Sequence, residues 1–171
     1  YNLHVDEIIN VETLEGVIEI LSGTPYAQII KNNAGELEIT RTLFSIETAL
    51  DRYFYKHLNE KAKQLEKPDF DITKRMVGVE IDMENISWLI RFRDFYKMTM
   101  ADALKNMIPY GHHLDQKALE EAFSTGDSAD IIKNLISKKY TNLSSMLGIQ
   151  SSDNQGKLVL VSRLLDQIIL Y

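Results

Sequence analysis

The sequence predicts an all-α fold, a helical bundle of repeated units in which a long antiparallel helix hairpin is joined to short connecting helices. Three prolines and eight glycines are the main interruptions in 171 residues. Nearly every segment between them repeats its apolar residues at intervals of three and four, which is the spacing of a buried helix face. A chain of this length can bury a core of its own.

The first predicted helix covers residues 12–22 and ends at Gly23. Thr24 and Pro25 then begin a short helix, as its N-cap and its first helical residue. A break is expected at residues 32–35, where Asn-Asn-Ala-Gly interrupts the pattern. A long helix follows, and its apolar face comprises Leu43, Ile46, Leu50, Tyr53, Phe54, His57, Leu58, Ala62 and Leu65.

A second long helix is predicted over about residues 71–97, after a turn at Pro68 and with Asp69 or Asp71 as its cap. It carries two apolar stripes on nearly opposite sides, so we expect it to lie between neighbouring helices. One stripe comprises Ile72, Met76, Val79, Met83, Ile86 and Ile90, and the other Val77, Ile81, Trp88, Phe92 and Phe95. The polar edges between the stripes carry Glu80, Glu84, Ser87 and Arg91 on one side and Asp82, Asn85 and Arg93 on the other.

Shorter helices complete the pattern. Thr99 begins a capping box for a helix that ends at residues 108–109, and Asp115 caps a helix that runs to about residue 123. Residues 126–130 break the chain and cap the next helix, which runs to about residue 136. A last helix is predicted over residues 157–171, where its pattern stops without an end signal, so we expect the chain to be a fragment.

The chain also matches itself at an offset of about 114 residues. A corner tyrosine and a Leu-Asp pair recur in the same order and at nearly the same spacing. The sequence therefore predicts a complete helical repeat unit at residues 10–126 and the start of a second unit at residues 127–171. The last helix would then lack its partner, and we expect it to dock on an exposed stripe of the first unit or to pair with another molecule. The matched positions are Ile18, Leu21, Tyr26 and Ile29 with Ile132, Leu135, Tyr140 and Leu143, and Leu50-Asp51 with Leu165-Asp166.

Composition excludes several function classes. Nineteen Lys and Arg face twenty-five Asp and Glu, and a net charge of −6 disfavours nucleic acid or an anionic membrane surface as the main partner. The absence of cysteine excludes disulfides and thiolate catalysis. The longest apolar runs are far shorter than the roughly 20 residues that span a bilayer, so no direct membrane insertion is expected.

Two groups of residues could carry chemistry. Glu80, Asp82 and Glu84 could act as general acid and base, but no nucleophile or Gly-rich loop accompanies them. His112 and His113 could bind a metal, but no third ligand stands at a fixed spacing, and such a loop pair is more often solvated. We therefore expect no catalytic residue, no metal and no cofactor.

Polar groups on an apolar helix more often fix how helices meet. Folding the two long helices back about the Pro68 turn brings Asp51 level with Asn85, and Glu47 level with residues 89–93. We therefore expect a hydrogen bond between Asp51 and Asn85, and an ion pair of Glu47 with Arg91 or Arg93. These pairs would set the register of the hairpin.

Taken together, these residues resemble the C subunit of archaeal-type (A-type/V-type) ATP synthases, which is equivalent to the d subunit of vacuolar-type ATPases. The resemblance covers most of residues 10–143 and includes the corner at residues 21–26. The chain departs from the family at Tyr110, where a glycine is usual, and at Arg93, where a lysine is common. The structural motif that carries the resemblance comprises Glu47, Leu50, Asp51, Glu80, Asp82, Asn85, Arg91, Pro109 and Gly111.

The resemblance implies a non-catalytic rotor part of the central stalk, which couples the axle of the ATP-hydrolysing head to the membrane rotor ring during proton or sodium transport. It implies other ATPase subunits as partners and a cytoplasmic location, peripheral to the membrane. Family members contain three related helical units, of which this chain would hold the middle one and the start of the third. Two other interpretations stay open: a helical-repeat adaptor that binds a partner helix or peptide, and an all-α enzyme using Glu80 and Glu84 with a metal.

Overall fold

A computed structural model describes residues 5–140 of the chain. The predicted helix at residues 157–171 lies outside the described residues. The repeat positions Leu143 and Leu165-Asp166 also lie outside them. Residues 5–140 form helices and no strand, which confirms the all-α fold. The helices are α1 (Val5–Ile9), α2 (Leu14–Ile20), α3 (Pro25–Thr40), α4 (Phe44–Ala62), α5 (Lys67–Ile90, continued by a π-helical turn, Arg91–Phe95), α6 (Met100–Asn106), α7 (Gln116–Phe123) and α8 (Ser128–Lys139).

The chain divides into two compact units whose border, between His57 and Leu58, lies inside α4. This border differs from the boundary of the predicted repeat, which stays a prediction from sequence matching alone. In the first unit, α2, α3 and the start of α4 surround a small apolar core. That core comprises Leu21, Ile30 and Ile46, with Ile8, Leu14, Val17, Ile18, Tyr26, Ala27, Leu37 and Leu50 packed against it.

Helix α3 runs straight through the predicted break at residues 32–35, so that prediction was wrong. The start was predicted correctly, with Thr24 as N-cap and Pro25 in the first turn. Within this stretch the Asn33 side chain donates to the carbonyl of Ile29 at 2.8 Å, four residues earlier, so it bonds inside the helix. A side chain that donates to the carbonyl four residues earlier is compatible with a helix, at a small cost in stability.

Helix α5 begins earlier than predicted. Its N-cap is Glu66, and Pro68 lies in the first turn, where a proline costs little because that N–H has no partner inside the helix. Asp69 and Asp71 are therefore helical residues and not caps. At the other end the helix passes into the π-helical turn and stops two residues before the predicted end, residue 97.

The two apolar stripes predicted that the whole of α5 is buried on both sides. Only its second half is. Ile72 and Met76, near its start, are 54% and 68% exposed. The buried residues of the second half are Gly78, Ile81, Asp82, Asn85, Ile86, Trp88, Leu89 and Ile90. This half of α5, with α6, α7 and α8, forms the core of the second unit.

The capping predictions for the short helices are confirmed. The side chains of Thr99, Asp115 and Asp127 each accept a hydrogen bond from the backbone N–H three residues later. Such caps satisfy donors that the first turn of a helix leaves without partners. None of the helices between residues 5 and 140 is long and apolar enough to cross a membrane.

Arg41, the C-cap of α3, offers a test of the local geometry. It has a left-handed backbone (φ 58°), and its N–H donates to the carbonyl of Leu37. A residue with a Cβ is strained there, by roughly 1 kcal/mol, whereas glycine is not. We expect Arg41→Gly to raise the free energy of unfolding by about 0.5–1 kcal/mol in urea denaturation.

Arg41→Ala is the matched control, because it removes the same side chain but keeps the strain. An equal gain in both variants would show that the side chain, and not the backbone, is responsible.

Candidate functional site

Helix α5 buries two polar side chains completely. Asp82 is 0% exposed and Asn85 is 1% exposed. Together with Gly78 they lie at positions i, i+4 and i+7, which fall on one face of a helix. That face meets the loop formed by residues 107–114, which connects α6 to α7, and we call this loop the docking loop.

The Asp82 carboxylate receives hydrogen bonds from two different parts of the chain. The backbone N–H of His113 donates to it at 2.6 Å, and that of Leu114 at 3.2 and 3.3 Å to its two oxygens. The hydroxyl of Tyr140, just after α8, donates to the same carboxylate. Burial, and then this hydrogen bond, raise the pKa of Tyr140. Several donors are what a buried carboxylate requires, because an unpaired buried charge is strongly destabilising.

Asn85 holds the other end of the docking loop through both ends of its amide group. Its Nδ2 donates to the carbonyl oxygen of Ile108 at 2.9 Å, and its Oδ1 accepts from the N–H of Ile108 at 2.8 Å. The amide therefore matches one donor and one acceptor of a buried backbone unit. Neither a carboxylate nor an apolar side chain could do both.

Two glycines allow the loop to lie this close to α5. The N–H of His112 donates to the carbonyl of Gly78 at 3.1 Å, and a Cβ on Gly78 would lie 3.0 Å from the Cβ of His112. A Cβ on Gly111 would lie 2.1 Å from Oδ1 of Asp82. Gly111 is therefore required for space, because Asp82 is held from several sides and cannot move away.

Tyr110 stands where the resemblance implies a glycine. Its backbone is left-handed (φ 77°), a conformation that glycine adopts freely and other residues seldom adopt. The glycine that the resemblance implies here would therefore suit the backbone better than tyrosine does. In this chain the ring is 48% exposed, and the ammonium group of Lys63 lies 5.9 Å from its centroid.

A second polar contact joins the π-helical turn at the end of α5 to the start of α8. Arg93 donates to the carbonyl of Thr125 at 2.9 Å and pairs with Asp94 at 2.8 Å. The hydroxyl of Ser128 also donates to Asp94. Partial burial opposes ionisation of Asp94, but the hydrogen bonds from Arg93 and Ser128 prevail and lower its pKa.

These contacts pin α8 to α5 at two points, Ser128 to Asp94 and Tyr140 to Asp82. The two contacts are twelve residues apart on each segment. The segments run in opposite directions between them. At 1.5 Å per residue, twelve helical residues span about 18 Å. The segments are therefore antiparallel and have the same number of residues between the pins, so neither can slide without breaking both contacts. We call this arrangement the register clamp.

The predicted site residues, which are those of the motif together with Glu84, lie in both units. Asp82, Asn85 and Gly111 come together at the docking loop beside Pro109, while Glu80, Glu84 and Arg91 lie elsewhere on α5 or its π-helical turn, with Glu80 and Glu84 exposed. Glu47, Leu50 and Asp51 belong to the first unit, where Leu50 packs against the core and the two acids are exposed. The pairs of Asp51 with Asn85 and of Glu47 with Arg91 or Arg93 therefore stay predictions. The sequence marks Tyr140 only as a repeat position, and reasoning from it missed the roles of Asp94 and Ser128.

The arrangement binds backbone groups and the hydroxyl of Tyr140. Within residues 5–140, no buried side-chain nitrogen or oxygen lacks a hydrogen-bond partner, and no three His, Asp or Glu residues cluster as metal ligands would. The rings of His112 and His113 lie 4.0 Å apart, and partial burial and the neighbouring His113 lower the pKa of His112. Beside them the docking loop forms a wall of a concavity of about 530 Å³, which is also lined by Leu104, Met107, Gln116 and Leu119.

A family model described as ATP synthase (C/AC39) subunit matches residues 1–171. The C subunit of the A-type ATP synthase of Methanosphaera stadtmanae is 25% identical over 138 residues, which are 81% of this chain and 36% of the relative. The corresponding protein of Methanocaldococcus jannaschii is 26% identical over 137 residues (80% and 34%), and that of Methanococcoides burtonii 26% over 155 residues (90% and 40%). The chain thus spans little more than a third of the length of these relatives. No solved structure matches it significantly.

The close approach of Gly111 to Asp82 gives a direct test of how the docking loop packs on α5. We expect Gly111→Ala to lower the free energy of unfolding by about 2 kcal/mol, because the new methyl group overlaps the pinned Asp82 carboxylate. Gly35→Ala is the matched control: no atom lies within 4 Å of a Cβ at Gly35 in α3, so this change should stabilise by about 0.5–1 kcal/mol. Urea denaturation measures both, and a Gly111→Ala variant as stable as the parent would contradict the packing described.

The paired hydrogen bonds between Asn85 and Ile108 predict that the Asn85→Asp variant loses stability to a degree that depends on pH. At pH 7, Asn85→Asp should lower the free energy of unfolding by about 2–4 kcal/mol, because a buried carboxylate faces a carbonyl oxygen. Burial raises the folded-state pKa of the introduced carboxyl above its unfolded value of about 3.9. Its neutral form can donate to Ile108, so the defect relative to the parent shrinks at low pH and grows as pH rises through the folded-state pKa.

Denaturation of the parent and the variant between pH 4 and 8 measures this effect. Asn85→Leu is the control. Leucine cannot titrate, so the loss of unfolding free energy in this variant should be the same at every pH. A defect in Asn85→Asp that does not change with pH would rule out the predicted exchange of donor and acceptor.

Proposed function

This chain belongs to the ATP synthase (C/AC39) subunit family, and from that membership we propose that it forms part of a non-catalytic rotor subunit in the central stalk of an A-type or V-type ATPase. In this role it couples the axle of the ATP-hydrolysing head to the membrane rotor ring during proton or sodium transport. Its partners are other ATPase subunits, and its place is the cytoplasmic side of the membrane, without insertion. The names of the curated relatives support an ATP synthase complex as its setting.

The observation that carries the proposal is the register clamp together with the docking loop. A part that transmits torque must not let its helices slide along one another. Helix sliding is opposed most strongly by directional contacts that are buried and satisfied at fixed positions. Asp82 and Asn85 supply such contacts to the docking loop and to Tyr140, at the end of α8, and the partly exposed Asp94 adds one at the start of α8.

The same contacts favour a mechanical role over an enzymatic one. The oxygens of Asp82 and the amide of Asn85 are engaged by backbone groups and by Tyr140, so they are not aimed at a substrate. Glu80 and Glu84 lie on the exposed surface of α5 and not in the concavity. A rotor part needs no chemistry, because nucleotide turnover belongs to the head.

One observation favours the alternative, a helical-repeat adaptor that binds a partner helix or peptide. The concavity beside the docking loop is open and is partly lined by apolar residues such as Leu104, Met107 and Leu119. Grooves between helices accept amphipathic helices in this way. Such an adaptor would bind its peptide without being retained in an ATPase complex.

The test uses membrane vesicles that carry the assembled ATPase with Asp82→Ala in this subunit. We expect ATP hydrolysis to continue while ATP-driven ion uptake per ATP falls several-fold, because a loosened stalk transmits less rotation. Phosphate release and uptake of protons or sodium are measured on the same vesicles. Asp71→Ala is the control, since Asp71 is an exposed carboxylate on the same helix.

Retention of the subunit in the complex is checked first by co-purification. If Asp82→Ala prevents assembly, the milder Asn85→Ser takes its place. Full ion uptake in a variant whose joint is shown to be loosened would contradict the coupling role, and a chain that never co-purifies with the ATPase would favour the adaptor.

A further inference from the structure

Asp82 is shared by two segments that are distant in sequence. The donors from the docking loop, His113 and Leu114, and the donor that follows α8, Tyr140, all approach the same oxygen, Oδ2. We infer that Asp82 couples the two segments, so that the docking loop is held on α5 more firmly when Tyr140 is bound than when it is released. This coupling rests on the contacts alone and needs no assumption about the ATPase.

The physical reason lies in the preorganisation of a buried charge. Tyr140 fixes the position of Oδ2 and shares its negative charge, so the two backbone N–H groups meet an acceptor that is already oriented. Without the hydroxyl, the carboxylate loses a charge-assisted hydrogen bond and is free to turn toward other donors. The loss then weakens the contact of the loop as well as that of Tyr140.

Ring packing links the same two segments a second time. The ring of His113 stands edge-on to the ring of Tyr140, with their centroids 5.0 Å apart. His113 therefore contacts both Asp82, through its backbone, and Tyr140, through its side chain. Removing only the hydroxyl separates the two links, because a phenylalanine keeps the ring contact.

The coupling has a consequence at the surface. Residues 108–114 of the docking loop line the concavity of about 530 Å³. Because Tyr140 lies directly after α8, displacement of the chain at this point would loosen that wall through Asp82. The position of the chain at Tyr140 thus controls the shape of the concavity, which makes Asp82 a relay between two surface features.

Amide hydrogen exchange on the full 171-residue chain tests the relay. In Tyr140→Phe we expect the amides of His113 and Leu114 to exchange roughly tenfold faster, the size of effect that loss of one hydrogen bond to a charged group produces. The amide of Ile108 is the internal reference, because it lies in the same loop but is held by Asn85. Its exchange should change less than about threefold.

Tyr110→Phe is the matched control, since it removes a hydroxyl from the docking loop itself but none that bonds Asp82. Asp82→Asn should abolish the difference that Tyr140→Phe makes, because the shared charge is gone. Equal acceleration at His113, Leu114 and Ile108 would mean that Tyr140 only stabilises the whole unit, and unchanged exchange at His113 and Leu114 would mean that the two segments are independent. Either outcome would overturn the relay.

Discussion

A carboxylate without water must be surrounded by hydrogen-bond donors, and much of the second unit is arranged to meet this requirement at Asp82. The docking loop is held so that two consecutive N–H groups point at α5. Gly111 leaves the space that the carboxylate occupies, and α8 ends where the hydroxyl of Tyr140 can reach it. These features belong to three separate segments, yet they share one electrostatic cause.

The apolar residues around Asp82 and Asn85 contribute most of the stabilising free energy. The polar residues fix the relative positions of the segments. The second half of α5 is buried on both sides by residues such as Ile81, Ile86 and Leu89, and apolar contacts of this kind tolerate small shifts between helices. Hydrogen bonds to Asp82 and Asn85 do not, because they require particular distances and directions. The unit is thus stabilised by one class of contact and aligned by the other.

Sequence reasoning found the helices where the signals are local. Apolar periodicity predicted the all-α fold, and residue types predicted the caps at Thr99 and Asp115 and a cap within residues 126–130. It failed at residues 32–35, where Asn33 bonds within its own helix, and at Pro68, which a first turn accepts. In both places a residue that often interrupts helices is accommodated by its position.

Part of the candidate site could be predicted from the sequence. Asp82 and Asn85 stood out as polar residues on an apolar helix, and the family pattern added Gly111. Their partners could not be found, because the N–H groups of Ile108, His113 and Leu114 are backbone and carry no residue signature. Tyr140 lies 58 residues from Asp82, and only the folded chain shows that the two meet.

The register clamp limits how this part of the molecule can change over time. One residue inserted between Ser128 and Tyr140 would advance the end of α8 by about 1.5 Å and turn it by about 100°, which would carry the tyrosine away from Asp82. The same holds for α5 between Asp82 and Asp94. A change of length in one segment between the pins therefore requires an equal change in the other.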